Sequence, residues 1–192
     1  MIAPSVADQV VLVDEDDQPL GVAEKFAAHQ AGLLHRAFSL IIQRSDGSVL
    51  LQRRSVHKYH SGGLWTNTCC SHPRPGESVV AAAKRRLREE MGLSCNPTTV
   101  GRFVYRAWLD SGLIEHEVDH VLVAEWDGRD PTPDPDEVMD WRWLSPARLR
   151  HELRTRPDWF TVWLTPALAM MPVRSPLLLE TTPAWNAIAS AS

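Results

Sequence analysis

Cys70 and His72 stand two positions apart in the run Trp65-Thr66-Asn67-Thr68-Cys69-Cys70-Ser71-His72-Pro73. In an extended segment alternate side chains share a face, so this thiol and imidazole project to the same side. One can bind a metal while the other faces a substrate. Free cysteines are more often small buried packing groups. That reading suits Cys69, which points the other way, and Cys95, which follows a helix. Cys70 lies in a polar run without apolar periodicity, and positive charge nearby would favour its thiolate.

A second set of chemical groups lies in the segment Glu115-His116-Glu117-Val118-Asp119. If it is a strand, Glu115 and Glu117 share a face, with Asp119 next in line. An isolated Glu-x-Glu is usually the solvated edge of a sheet. Here His29, His35 and His72 are also available, the first two around an expected loop. Three imidazoles and two carboxylates would make a nitrogen and oxygen site for a divalent ion, and ligand type alone does not choose among manganese, zinc, iron and magnesium. Basic residues are interleaved with these segments: Lys25, Arg54, Lys58 and Arg86. Most such residues form solvated faces, but a cluster of them can grip a diphosphate, guanidinium groups doing so bidentately. Of the aromatics, Trp65, Tyr105 and Trp163 lie in segments able to line a pocket. An aromatic face there stabilises a cation by about 0.5–2 kcal/mol.

The elements that must position these groups follow from periodicity. Val10–Val13 reads as a strand. Residues 38–44 and 49–53 form a hairpin about Ser45-Asp46-Gly47. Glu77–Met91 is the clearest helix, capped by Ser78 and ended by Gly92, with Val80, Ala83, Leu87 and Met91 as its buried stripe. Residues 100–108 and 115–126 are strands joined at Asp110-Ser111-Gly112, and a short strand covers 141–144. A helix runs from Ser145-Pro146 to about Arg154, and residues 159–170 are helical with a perturbation at Pro166. Mixed strands and helices predict an α/β or α+β sandwich.

The 192 residues fit one domain at 10–171, between flexible ends at 1–9 and 172–192. A net charge of −4 gives no general attraction to nucleic acid or acidic membranes. No apolar stretch is long enough to span a bilayer, and the first residues lack the pattern of a signal peptide. Three cysteines, two of them adjacent, predict reduced thiols and a cytoplasmic protein. No self-association stripe stands out, so a monomer is expected.

Five segments in this order resemble type 1 isopentenyl-diphosphate isomerase, a branch of the Nudix superfamily. They are residues 23–29 (AEKFAAH), 34–39 (LHRAFS), 65–73, Glu115-His116-Glu117 and 136–141 (DEVMDW). The Nudix box is altered: Ser71 stands at the opening glycine, and Arg86 stands where hydrolases carry a metal-holding glutamate. That swap argues for holding a diphosphate intact over cleaving it. The resemblance implies a Nudix-like α/β/α sandwich with a mixed sheet. It also implies interconversion of isopentenyl and dimethylallyl diphosphate, small homoallylic and allylic substrates, through a tertiary carbocation. It implies a divalent metal (Mn²⁺, Zn²⁺ or Mg²⁺) on His29, His35, His72, Glu115 and Glu117, and a Mg²⁺ near Glu90 that accompanies the diphosphate. It assigns proton transfer to Cys70 and Glu117, with Tyr105 as a relay and Trp163 facing the cation. Diphosphate and substrate contacts fall on Lys25, Arg54, Lys58, Arg86 and Trp65.

Overall fold

In the computed structural model, residues 8–172 are described. Apart from Asp8, Gln9 and Pro172, the termini expected to be flexible therefore lie outside the described residues. In chain order the elements are β1 (Gln9–Val13), β2 (Pro19–Glu24), α1 (Lys25–Ala31), β3 (His35–Gln43), β4 (Val49–Arg54), β5 (Trp65–Thr66) and β6 (Cys69–Ser71). They continue with α2 (Val79–Met91), β7 (Thr98–Trp108), β8 (Ile114–Glu125), β9 (Val138–Leu144), α3 (Pro146–Thr155) and α4 (Leu164–Ala169). All the strands join one mixed sheet. Among the described residues no helix is long and apolar enough to cross a membrane.

The apolar run of β3 is buried on both sides, and its period of two divides the core. Phe38, Leu40 and Ile42 face α2, where they meet Leu87 and Met91. Ile41 faces the opposite layer, with Leu149 of α3 and Leu164 and Leu168 of α4. Helices thus cover both faces, giving the expected α/β/α sandwich. Leu87 is fully buried, and burial of such a side chain is worth about 1.5–3 kcal/mol.

The hairpin at residues 45–47 forms, but β3 and β4 pair only at Gln43 and Val49. Beyond that pair they splay. The Thr68 hydroxyl bridges the gap, accepting from the Ile42 amide at 2.8 Å and donating to the Leu50 carbonyl at 2.7 Å. The backbone groups left open by the splay are taken up by β5, which pairs with β4, and β6, which pairs with β3. The run from Trp65 to Ser71 is thereby wedged into the sheet, with Cys70 opposite Ser39. On its other edge β3 runs parallel to β8, which brings His35 opposite Glu117.

Helix α2 starts at Val79, two residues later than its sequence suggests, because Ser78 is the cap and its hydroxyl accepts from the Ala81 amide at 3.2 Å. It ends at Gly92 with φ +65°, where an added Cβ would lie 2.1 Å from Thr132 Oγ1. Gly92→Ala is expected to destabilise the fold by at least about 1–3 kcal/mol, the scale of backbone strain at a left-handed position, before the steric clash is counted. Chemical denaturation would show an unchanged midpoint if this account is wrong.

The expected helix over 159–170 is instead three pieces. Pro157–Trp159 forms a 3-10 turn, Phe160 makes a parallel bridge to Trp65, and α4 begins only at Leu164. Pro166 occupies the first turn of α4, where a backbone N–H would have no intrahelical acceptor, so the donor it lacks costs the helix no hydrogen bond. Strand β9 extends back to Val138, which is buried against α2 and pairs with Arg54. As expected, His29 and His35 stand on either side of a loop, here the short turn at residues 32–34: His29 lies on α1, and His35 opens β3. Glu24 caps α1, accepting from the Phe26 and Ala27 amides at 3.0 and 2.8 Å.

Candidate active site

Register assembles the site. His35 lies opposite Glu117 across β3 and β8, and Tyr105 lies opposite Glu117 across β7 and β8, so all three share one face as cross-strand neighbours. His72, just beyond β6, brings its Nε2 to 2.9 Å from Glu117 Oε1 and 3.2 Å from His35 Nε2. His29 reaches in from α1. Its Nδ1 donates to the Lys25 carbonyl at 2.7 Å, and that of His35 donates to the Leu33 carbonyl at 2.8 Å. Those bonds fix the tautomers and leave the lone pair of each Nε2 facing inward.

His29, His35, His72 and Glu117 can each offer one donor atom, all within 4.8 Å of one another. His29 Nε2 is buried without a hydrogen-bond partner among the described residues, an arrangement that calls for an occupant. Burial holds the His72 imidazole down to about 3, so it is neutral, the form that binds metal. The residues present fit a divalent ion. Glu115, the expected fifth ligand, groups instead with His29 and His60.

The two glutamates differ in state. Burial, and then the charge of Glu117, raise the Glu115 carboxyl well above the usual range. Burial would raise Glu117 too, but the His35 and His72 imidazoles outweigh it and hold this carboxyl well below that range. The Tyr105 hydroxyl lies between them, in contact with Glu115 Oε2 and 2.7 Å from Glu117 Oε2. Paired carboxyls driven apart by their surroundings divide acid from base.

Cys70 lines the same cavity of about 540 Å³, as do Glu117, Tyr105 and Trp163. Arg54 Nη1 lies 3.9 Å from its Sγ, the positive neighbour foreseen in the sequence. Arg54 favours the thiolate, as its charge should, but burial outweighs that pull and pushes the Cys70 thiol up to about 12. The group is a neutral thiol able to carry a proton. Cys69 is fully buried in the α2 core, as expected.

Lys25, Arg54, Lys58, Arg86 and Glu90 also line this cavity. Arg86 is gripped by Glu90 Oε1 at 2.7 Å and Glu137 Oε1 at 3.0 Å, while Lys58 contacts the other oxygen of Glu137. Burial pushes Lys25 and Lys58 down, helped by the neighbouring guanidinium groups. Arg54 Nε is buried without a partner among the described residues. Cations concentrated this way favour an incoming polyanion.

Trp163 is 3% exposed, and its ring lies 5.5 Å from the Arg54 guanidinium. Trp65 does not join the cavity. It packs in the α3 and α4 core with Arg142 over its ring at 4.0 Å, because β5 is held between β4 and Phe160. Sequence reasoning gave no role to Tyr59, His60 and Glu137. The signal for the first two was their position directly after Lys58, and for Glu137 its place in the DEVMDW segment. Asp119 is buried in the cavity wall, where its Oδ2 accepts from the Ser39 hydroxyl at 2.8 Å.

The NUDIX domain family model matches residues 33–164. Isopentenyl-diphosphate Delta-isomerase 2 of Aromatoleum aromaticum is 53% identical over 161 residues, covering 84% of this chain and 85% of that protein. The isopentenyl-diphosphate Delta-isomerase of Burkholderia multivorans is 50% identical over 156 residues, covering 81% of this chain and 88% of that protein. Among solved structures, DR0079 from Deinococcus radiodurans superposes with a TM-score of 0.68 at 16% identity, over 85% of this chain and 99% of that one. A MutT NUDIX hydrolase from Burkholderia pseudomallei gives 0.58 at 21% identity, over 72% of this chain and 98% of that one. These two likenesses concern the fold alone.

Proposed function

The chain belongs to the NUDIX family and, within it, to the isopentenyl-diphosphate Delta-isomerases, and we propose that Cys70 and Glu117 carry the proton transfers of that reaction. The enzyme interconverts isopentenyl diphosphate and dimethylallyl diphosphate. The observation that carries the residue assignment is a shared cavity: the thiol, the carboxylate and four cations all open onto it.

Lys25, Arg54, Lys58 and Arg86 bind the diphosphate and so anchor a short, otherwise featureless hydrocarbon. The alkene is unactivated, and protonation at its terminal carbon leaves a tertiary cation at C3. A proton then leaves C2. Cys70 and Glu117 flank the five-carbon chain; one donates and the other accepts, according to direction. A turnover moves one proton from one partner to the other. The Tyr105 hydroxyl, 2.7 Å from Glu117 Oε2 and in contact with Glu115, relays a proton between Glu117 and solvent, and Cys70 exchanges its own with solvent after product leaves, so both return to their starting states. Trp163 turns its π face to the cation and, with the enclosed walls, excludes the water that would trap it.

His29, His35, His72 and Glu117, with Glu115 beside them, would hold Mn²⁺, Zn²⁺ or Mg²⁺, which when bound supplies positive charge that tunes the acidity of Glu117. Glu90 is the group to meet a Mg²⁺ carried by the diphosphate. A monomer acting in the cytoplasm on a small diphosphate, without nucleic acid or membrane, completes the reading; an odd count of three cysteines, two of them adjacent, supports the reducing compartment.

The test is direct. Metal-loaded protein is incubated with isopentenyl diphosphate and, separately, with a panel of nucleoside diphosphate derivatives. Allylic diphosphate should accumulate with no phosphate released and no nucleotide consumed. Nucleotide hydrolysis without allylic product would reject the reading.

A further inference from the structure

We propose that His60 is a positioning residue of the metal centre, holding Glu115 in place and thereby setting the affinity of the site for its ion. The inference rests on reading His29, His35, His72 and Glu117, completed by Glu115, as that centre. His60 lies in the loop between β4 and β5 and is 4% exposed. Its Nε2 lies 3.4 Å from Glu115 Oε1, and its ring stacks on His29 with centroids 5.5 Å apart and planes 28° apart. The other oxygen of Glu115 is taken by the Tyr105 hydroxyl. Glu115 is therefore flanked on both oxygens, by an imidazole on one side and a phenol on the other. Carboxylates that serve metals are fixed by outer contacts of this kind, and losing one costs about 10–100-fold in metal affinity.

The loop is built to present this ring. Ser61, the next residue, adopts φ +51°, a left-handed conformation that a non-glycine residue holds only when its surroundings over-determine it. The determinants are visible. The Ser61 amide donates to Asp110 Oδ1 at 2.9 Å, and Arg54 Nη2 donates to the His60 carbonyl at 3.2 Å. Ser61 Oγ lies 3.3 Å from His60 Nδ1. With that hydroxyl donating to Nδ1, Nε2 carries the hydrogen and sits beside Glu115 Oε1 at 3.4 Å, a neighbour of the carboxylate and not itself a ligand. Edge-on contacts with Tyr59, at 4.5 Å, and Trp163, at 6.1 Å, hold the ring upright. The same arginine that reaches toward the Cys70 thiol thus also anchors the loop carrying His60.

The experiment measures metal binding without substrate. Stripped wild-type protein, His60→Ala, His60→Gln and His35→Ala are titrated with Zn²⁺ alone against a chromophoric chelator, and far-UV circular dichroism checks each fold. His60→Ala should bind one ion with affinity reduced about 10–100-fold. His60→Gln, whose terminal amide can donate from nearly the position of Nε2, should recover most of that loss. Wild-type affinity in His60→Ala would overturn the proposal while leaving the metal site intact. Complete loss of the ion in both His60 variants would overturn it as well, by making the imidazole itself a ligand. Unchanged binding in His35→Ala would instead refute the metal site on which the proposal rests. Should His60→Ala not fold, His60→Gln decides the question alone against His60→Leu, which fills the space without a donor: the proposal requires Gln to bind more tightly than Leu.

Discussion

Cys70→Ala and Glu117→Gln are each expected to lower kcat for isomerisation by about 10²–10⁴-fold, the usual contribution of one positioned acid or base, in protein that remains folded and metal-loaded. The two losses should not add. Isomerisation needs a proton delivered at one carbon and removed at another, so either deletion halts the same cycle. Cys70 sits on β6 and Glu117 on β8, on opposite sides of β3, and both are held by strand register. Removing a thiol from such a rigid frame leaves the pocket otherwise intact. Its binding function should persist: with the four cations untouched, KM should change far less than kcat. Burial pushes the Cys70 thiol up to about 12, so the free enzyme carries it as a thiol. Iodoacetamide, which attacks thiolates, should therefore label native Cys70 slowly. Steady-state conversion of isopentenyl diphosphate decides the main point. A Cys70→Ala enzyme within about tenfold of wild type, a barrier change of only ~1.4 kcal/mol, ends the paired assignment.

What the sequence revealed of this arrangement, and what it hid, divides along the range of the interactions. Ser78 and Gly92 announce the ends of α2 because capping is decided within a turn of the chain. The Asp46-Gly47 turn likewise forms where it should. The alternation of Glu115, Glu117 and Asp119 correctly put them on one face, since period two belongs to any strand. The parallel pairing of β3 with β8 joins segments some eighty residues apart, a separation read from His35 opposite Glu117. Nothing local encodes it. The splay of β3 from β4 is equally hidden, because it depends on Thr68 being present to bridge the gap. Strand β2 escaped notice because Pro19–Glu24 is largely exposed and has no apolar alternation. Helix α1 is only seven residues long, too short for a periodic signal. Trp65 and Trp163 look alike as residues; only packing puts one under Arg142 in the core and the other on the cavity wall. The roles of Lys25 and Arg86 came from the family pattern and not from periodicity. His60 carried no motif at all, and its contact with Glu115 is purely tertiary.

Arg86→Glu is the most severe single test of why this Nudix scaffold isomerises. It would return a carboxylate to the position where hydrolases of the superfamily carry one. In this chain Arg86 is four residues before Glu90 on α2 and bonds to its Oε1 twice, at 2.7 and 3.1 Å. It also holds Glu137 Oε1 at 3.0 Å and Glu89 Oε2 at 2.8 Å. One guanidinium thus bridges three carboxylates, of which Glu90 lines the cavity. The substitution removes it and sets a fourth carboxylate beside them, leaving Lys58 on Glu137 and Arg85 on Glu89 to balance the group. A diphosphate approaching this wall would meet repulsion where it had met a bidentate donor. Truncating one member of a buried, hydrogen-bonded charge pair costs about 2–5 kcal/mol, which at 1.4 kcal/mol per tenfold is a ~30- to several-thousand-fold rise in KM for isopentenyl diphosphate. The reversal of sign should place the effect toward the upper end. Arg86→Gln separates the two causes, since it loses the donor without adding repulsion and should fall between wild type and Arg86→Glu. Cys70 and Glu117 are untouched, so kcat at saturating substrate should fall much less than kcat/KM. Nor should phosphate be released from substrate or nucleotides: the cysteine and histidine wall that fills this pocket remains, and one restored carboxylate does not rebuild a hydrolytic metal cluster. Thermal melts of both variants guard against misreading lost folding as lost binding. An unchanged KM in folded Arg86→Glu protein would remove Arg86 from the clamp and, with it, the explanation for why the diphosphate is held and not cleaved.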